Sequence, residues 1–201
     1  MKTVTTVTTT ETIETPKMQI IAVLDRSGSM GSIMDEALGA LNAFVDEQRV
    51  EADADFTLVA FDYEYKRVLD KVNIVDAPMV TREDVSPRGM TALYDAVGRA
   101  INEADQDRPT ILLIQTDGVD NMSREFTSSQ IQALVQHKES KCGWDVNFIG
   151  AGLDKATVEG MSRGMGVQHD KTFAVAASAS GMADLGATLS ARTASYRSEI
   201  K

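Results

Sequence analysis

The chain has 201 residues, of which 43% are apolar and 25% are charged, as is typical of one globular domain with a full core. Its formal net charge of −10 argues against nucleic acid and anionic membranes as partners. The single cysteine, Cys142, excludes an intramolecular disulfide and a Cys-rich zinc site.

The chain begins with a threonine-rich segment. We interpret residues 1–16 as an arm that is either flexible or adds a strand to a neighbouring copy. The start lacks the continuous apolar stretch of a secretory signal, and no segment approaches the roughly 18 apolar residues that span a bilayer. We therefore expect a cytoplasmic protein without a membrane partner, in which residues 17–201 form one domain.

After the arm, short apolar runs alternate with amphipathic segments. The runs predict six strands, at residues 18–25, 55–62, 65–77, 109–118, 144–152 and 171–176. The third strand follows a tight turn and should pair antiparallel with the second at the edge of the sheet. This alternation indicates an α/β fold: a Rossmann-like, doubly wound, mostly parallel sheet of about six strands with one antiparallel edge strand and helices on both faces.

Helix boundaries are predicted from caps and breakers. The first helix should run from Ile33 to Val50, with a capping box formed by Ser32 and Asp35. A second capping box is predicted at the start of the helix that follows residue 127, where the spacing of Thr and Gln matches. The segment "KATVEGMSRGMG" predicts a short helix interrupted by glycines.

Oxygen-bearing side chains follow the predicted strands. Asp25, Ser27 and Ser29 come after the first strand, Asp117 follows "ILLIQT", and Thr91 opens a helix after "SPRGM". Ligands of open α/β sheets bind beyond the carboxyl ends of the strands, so these loops should meet there. Two carboxylates and three hydroxyls, without histidine or cysteine, suit a hard cation such as Mg²⁺ better than zinc.

These motifs carry a family resemblance. "DRSGSM", "GMTAL" and "TDG" resemble, in order and on the expected elements, the metal-ion-dependent adhesion site (MIDAS) of von Willebrand factor type A (VWA) domains. The resemblance implies that Asp25, Ser27, Ser29, Thr91 and Asp117 hold Mg²⁺ or Mn²⁺. It implies a protein partner whose Asp or Glu completes the coordination. "DRSGSM" looks most like intracellular microbial members, which often work with AAA+ ATPases or other assembly components.

Further residues are predicted around the metal. We expect a partner-binding rim formed by Arg26, Met30, Asp62, Arg88 and Asp120. The arginines would attract an acidic ligand or offset local negative charge. Asp120, its neighbour Asn121 and Asp95 are also open to a simpler interpretation, as residues of a solvated loop and helix surface.

Three functions remain to be weighed. The first is a divalent-metal-dependent protein-binding module, which is not an enzyme. The second is a structural protein that assembles into homo-oligomers through the threonine-rich arm. The third is a Mg²⁺-dependent phosphoryl-transfer enzyme with Asp25 as nucleophile, which is disfavoured because the loops offer no lysine or histidine as acid or base. The chain also lacks a P-loop motif.

Overall fold

A computed structural model describes residues 17–200; the threonine-rich arm, with the oligomerisation proposed for it, lies outside the described residues. The strands are β1 (Met18–Asp25), β2 (Ala54–Phe61), β3 (Tyr65–Asn73), β4 (Thr110–Thr116), β5 (Asp145–Ala151) and β6 (Thr172–Val175). The helices are α1 (Met34–Gln48), α2 (Arg82–Val85), α3 (Leu93–Glu103), α4 (Ser128–Cys142), α5 (Lys155–Gly164) and α6 (Ala179–Glu199).

The six strands form one sheet in the order β3-β2-β1-β4-β5-β6. All neighbours pair in parallel except β2 and β3, which pair antiparallel at the edge. The predicted fold class is confirmed. The strand order reverses between β1 and β4, so their carboxyl ends form the crevice where ligands of such sheets bind.

Each face of the sheet is covered by helices, because the side chains of a strand alternate between faces. On β1, Ile20 and Leu24 belong to an apolar cluster that includes residues of α1, α2 and α6. Ile21 and Val23 of the same strand pack against α3, α4 and α5. The central strand is therefore buried on both sides, and its carboxyl end has a fixed position.

Two features of the helix boundaries differ from prediction. The capping box expected at Ser32 and Asp35 is wrong: a 3-10 helix over Gly28–Ser32 leads directly into α1, so the chain is already helical at Ser32. The Ser32 hydroxyl instead donates to the carbonyl of Ser29 at 3.4 Å. The prediction that glycines interrupt the next-to-last helix is also wrong, because α5 continues through Gly160. The capping box that precedes α4 is confirmed.

The edge strand is shorter than the predicted range 65–77. It ends at Asn73, whose side chain accepts a hydrogen bond from the Val75 N–H at 3.2 Å and starts a 3-10 turn. The short helix α2 was not predicted; Thr81 and Asp84 form its capping box. Within the described part of the chain, every helix is too short or too polar to cross a bilayer.

Candidate metal centre

The first predicted ligands lie in the turn after β1. Asp25 is the last residue of the strand and is fully buried. Its Oδ1 accepts a hydrogen bond from the Ser27 N–H at 2.6 Å, which folds the turn back over the strand end. The Ser27 and Ser29 hydroxyl oxygens lie 3.1 Å apart. A short polar turn at the end of a buried strand thus brings one carboxylate and two hydroxyls together.

The end of β4 joins this turn. The Ser29 hydroxyl donates to Oδ1 of Asp117 at 2.8 Å. The buried Thr116 donates its hydroxyl to Oδ2 of Asp25 at 2.6 Å. Thr116 was not singled out in the sequence, although a polar residue that ends the run "TILLIQT" is a usable signal. The β1 and β4 loops are therefore linked through their carboxylates.

Thr91, the fifth predicted ligand, lies just before α3 and is 3% exposed. Its N–H donates to Oδ1 of Asn121 at 2.9 Å, and its carbonyl accepts from the N–H groups of Asn121 and Met122. Among the hydrogen bonds of residues 17–200, none involves the Thr91 hydroxyl, which leaves that oxygen free for another ligand. The main chain of Thr91 is thus clamped by the loop that follows Asp117.

The loop before Thr91 is bound to the β1 turn as well. The Gly28 N–H donates to the carbonyl of Gly89 at 3.2 Å, and the Arg88 N–H donates to the carbonyl of Arg26 at 2.8 Å. Gly89 has φ +71°, and a Cβ there would lie 2.6 Å from the ring of Tyr63. Only glycine fits this position. Three loops from different parts of the chain therefore converge as the sequence predicted.

The pKa shifts of Asp25 and Asp117 indicate that the site needs a positive charge. Burial raises the pKa of Asp25 to about 6, although hydrogen bonds from Thr116 and Ser27 lower it, and the nearby Asp117 raises it further. Burial also raises the pKa of Asp117. Both carboxylates are thus disfavoured as anions unless a positive charge is supplied.

No such charge comes from the described part of the chain. Two other aspartates, the buried Asp62 and Asp145, each form ion pairs with basic side chains. In contrast, no lysine, arginine or histidine of residues 17–200 forms an ion pair with Asp25 or Asp117. Buried carboxylates are ordinarily paired or bound to metal. The donor set, which contains oxygen atoms alone, fits a divalent cation.

Three of the five residues predicted to form the partner-binding rim are buried. Arg26, Met30 and Asp62 are 4%, 0% and 0% exposed, so their side chains cannot contact a partner in this conformation. Arg88 has a 44% exposed side chain and Asp120 is half-buried. Sequence reasoning placed these residues at the rim because they adjoin the ligands. It could not show that three of them point into the protein.

Arg26, Asp62 and Arg88 of this set form a partly buried ion cluster. Arg26 lies 3.3 Å from Asp62 Oδ1 and 3.6 Å from Glu64, and Arg88 Nε lies 3.0 Å from Asp62 Oδ2. Arg88 also pairs with Glu64. The cluster connects the β1 turn, the β2–β3 turn and the loop before Thr91. The arginines therefore offset the charge of Asp62, not that of the metal ligands.

The loop after Asp117 is ordered by acidic side chains that the sequence left open. Asp120 accepts from the Ser123 hydroxyl. Asp95, in the first turn of α3, accepts from the N–H groups of residues 124, 125 and 126 at 2.8–2.9 Å. Asp95 and Asp120 are therefore not simply surface charges. They hold the loop that carries Asn121.

Asn121 provides a first testable prediction. Asn121→Leu removes the oxygen that accepts from the Thr91 N–H, and we expect Mn²⁺ affinity to fall roughly tenfold, as for other residues that position metal ligands. Asn121→Asp keeps the acceptor and should bind like the wild type. Calorimetric titration measures the affinity, and hydrogen exchange at the Thr91 amide should be faster in the Leu variant without metal.

The matched control is Asn73→Leu. Asn73 makes a similar side-chain bond to a main-chain N–H but lies at the opposite end of the sheet. Its replacement should leave Mn²⁺ affinity unchanged. Equal affinities for Asn121→Leu and Asn73→Leu would show that the clamp does not position Thr91.

Comparison with known proteins identifies the fold. Neither a protein-family model nor a curated protein sequence matches the chain. Solved structures do match: the fold is that of von Willebrand factor type A domains, as in "von Willebrand factor type A from Catenulispora acidiphila". That structure has a TM-score of 0.62 and 17% identity, over 88% of this chain and 42% of that one.

Two further structures define the similarity. The von Willebrand factor domain of a type V pilus tip protein from Porphyromonas gingivalis has a TM-score of 0.65 and 12% identity, covering 87% of this chain and 95% of that one. Proximal thread matrix protein 1 from the mussel byssus has a TM-score of 0.62 and 16% identity, covering 87% of this chain. This chain spans 47% of that protein's length. A further structure of the mussel protein has a zinc-occupied MIDAS motif.

Proposed function

We propose that this chain is a divalent-metal-dependent protein-binding module. The observation that carries the proposal is the carboxylate pair formed by the buried Asp25 and the half-buried Asp117. This pair lacks a basic partner in the described chain and lies beside the Ser27 and Ser29 hydroxyls. Asp25, Ser27, Ser29, Thr91 and Asp117 would hold the ion. The ion supplies a positive centre that can bind a carboxylate from outside the protein.

Mg²⁺ or Mn²⁺ suits this site best. All five side chains offer oxygen, and hard cations prefer such ligands. The zinc-occupied motif of the mussel protein supports binding of a divalent ion at the equivalent motif. Two carboxylates balance the charge of the ion, and the neutral hydroxyls leave it able to accept one more anionic ligand. A protein partner that offers Asp or Glu is the ligand we propose.

The same geometry argues against phosphoryl transfer. Both oxygens of Asp25 are hydrogen-bonded, to the Ser27 N–H and to the Thr116 hydroxyl, and the side chain is fully buried. Such a carboxylate is poorly placed to attack a substrate. We therefore propose a binding protein, not an enzyme. A cytoplasmic location, an AAA+ ATPase as partner and assembly through residues 1–16 remain part of the proposal.

A peptide selection tests the proposal. We expect random peptides displayed on phage to be retained by the wild-type protein in Mg²⁺ and released by EDTA, and the retained peptides to contain Asp or Glu. Thr91→Val removes a proposed ligand hydroxyl that makes no hydrogen bond within residues 17–200, so this variant should fold normally and retain none of these peptides. Selection that is equally strong with EDTA present, or on Thr91→Val, would contradict metal-dependent binding.

A further inference from the structure

Exposed apolar side chains surround the metal centre. Tyr63, Met90 and Val119 are 50%, 48% and 55% exposed. They belong to three different loops: the β2–β3 turn, the loop before Thr91 and the loop after Asp117. We call these three side chains the apolar collar.

Contacts place the collar on the metal face. The Tyr63 ring packs against Gly89, the neighbour of Met90. Met90 immediately precedes Thr91, and Val119 lies two residues after Asp117. All three therefore border the crevice at the carboxyl ends of the strands.

The collar lies on a well-braced surface. The carbonyl of Gly89 accepts a hydrogen bond from the Gly28 N–H, and the Arg88 N–H donates to the carbonyl of Arg26. The main chain that precedes Met90 is therefore held in place. The Arg88 guanidinium lies 5.5 Å from the centre of the Tyr63 ring. This cation–π contact holds the aromatic side chain against the loop. An aromatic side chain such as that of Tyr63 loses little entropy on binding and serves as an anchor of protein interfaces, while a methionine such as Met90 adapts to the apolar surface of a partner.

We propose that the collar binds a segment of a partner protein in which an Asp or Glu is flanked by large apolar side chains. The proposal rests on the metal-dependent function proposed above. The carboxylate of the partner would complement the ion, which supplies the positive charge at this edge because Arg88 is already paired with Asp62 and Glu64. The apolar neighbours of that carboxylate would cover the collar. Metal would select the acid, and the collar would select its sequence context.

The peptide selection gives a direct test. In peptides retained with Mg²⁺ and released by EDTA, we expect a large apolar residue within two positions of the acid. The most enriched peptide is then synthesised and titrated. Its Kd should rise about tenfold for Met90→Ser and for Val119→Ser, since loss of an interface anchor has effects of this size. Calorimetry should show unchanged Mn²⁺ affinity in both variants.

Matched controls come from exposed residues elsewhere. Met79→Ser replaces a 69% exposed methionine beside the middle of α1, and Val50→Ser replaces an 84% exposed valine beyond its end. Neither should change peptide affinity. The controls separate a local effect of the collar from a general loss of apolar surface.

The outcomes separate the two proposals. If the peptides released by EDTA carry an acid without apolar neighbours, the proposal for the collar is overturned and the proposal of metal-dependent binding stands. If no peptide is released by EDTA, the proposed function itself fails. If sedimentation shows a dimer that Met90→Ser dissociates, the collar covers a second copy of this chain, and the proposal of a peptide partner is overturned.

Discussion

Asp25→Asn should make the metal-free protein more stable while abolishing metal binding. In the wild type, burial raises the pKa of Asp25 from its ordinary value of 3.8 to about 6. At neutral pH the folded protein therefore holds an ionised carboxylate in an unfavourable place. The difference corresponds to about 3 kcal/mol of unfolding free energy. Asp25→Asn removes that charge at nearly constant volume.

The surroundings can accept the amide. Its oxygen can still receive the Ser27 N–H, which binds Oδ1 in the wild type. Its NH₂ group can donate to the Thr116 hydroxyl, which can then turn its own proton to the carbonyl of Gly118, 3.0 Å away. We therefore expect no new unsatisfied polar group to offset the gain.

The effect should depend on pH. Well below pH 3.8, Asp25 is protonated in both the folded and unfolded wild type, so the wild type and the variant should be equally stable. Between pH 4 and 6 the unfolded chain loses its proton first, so the wild type loses stability relative to Asp25→Asn. The gap should level off above pH 6. Urea denaturation in EDTA measures it; a variant less stable than the wild type at pH 7 would contradict the account.

Asp62→Ala should be strongly destabilising. Asp62 is fully buried between Arg26 and Arg88, and Arg26 is itself only 4% exposed. Removing the carboxylate leaves Arg26 buried without its closest partner, a change that typically costs about 3–5 kcal/mol. Urea denaturation at pH 7 should show this loss.

The control is an exposed ion pair on the edge strand β3. Arg67 lies 2.8 Å from Asp70, with both side chains well exposed. Asp70→Ala should therefore cost less than about 1 kcal/mol. A double variant, Arg26→Leu with Asp62→Ala, should lose less stability than the two single changes added together. If Asp62→Ala and Asp70→Ala proved equally mild, the buried cluster would not hold these loops.

Much of the fold and the site could be predicted from sequence because strand ends are well marked. "MQIIAVLD" and "ILLIQTDG" change from apolar to polar where the chain leaves the sheet. Parallel strands with such ends must deliver Asp25 and Asp117 to one edge. Thr91 is a weaker candidate from the residues alone, because no strand immediately precedes it, and the resemblance to VWA domains supports its inclusion.

Side-chain burial in the loops could not be predicted in this way. Arg26 and Arg88 look alike in sequence, yet Arg26 is buried against Asp62 while Arg88 is half-exposed. The difference depends on how the β2–β3 turn packs against the loop around Gly89, which is a contact between distant parts of the chain. The roles of Thr116 and Asn121 depend on similar contacts. Such contacts leave no periodic pattern in the sequence.

The central claim is that Asp25 and its neighbours bind a divalent cation. The most direct measurement is calorimetric titration of Mg²⁺ and Mn²⁺ into the wild-type protein and into Asp25→Asn, which should remain folded. The account predicts one saturable site in the wild type and none in the variant. Equal cation binding by both proteins would contradict the account. So would a folded wild type that binds no cation, either alone or in the presence of a retained acidic peptide.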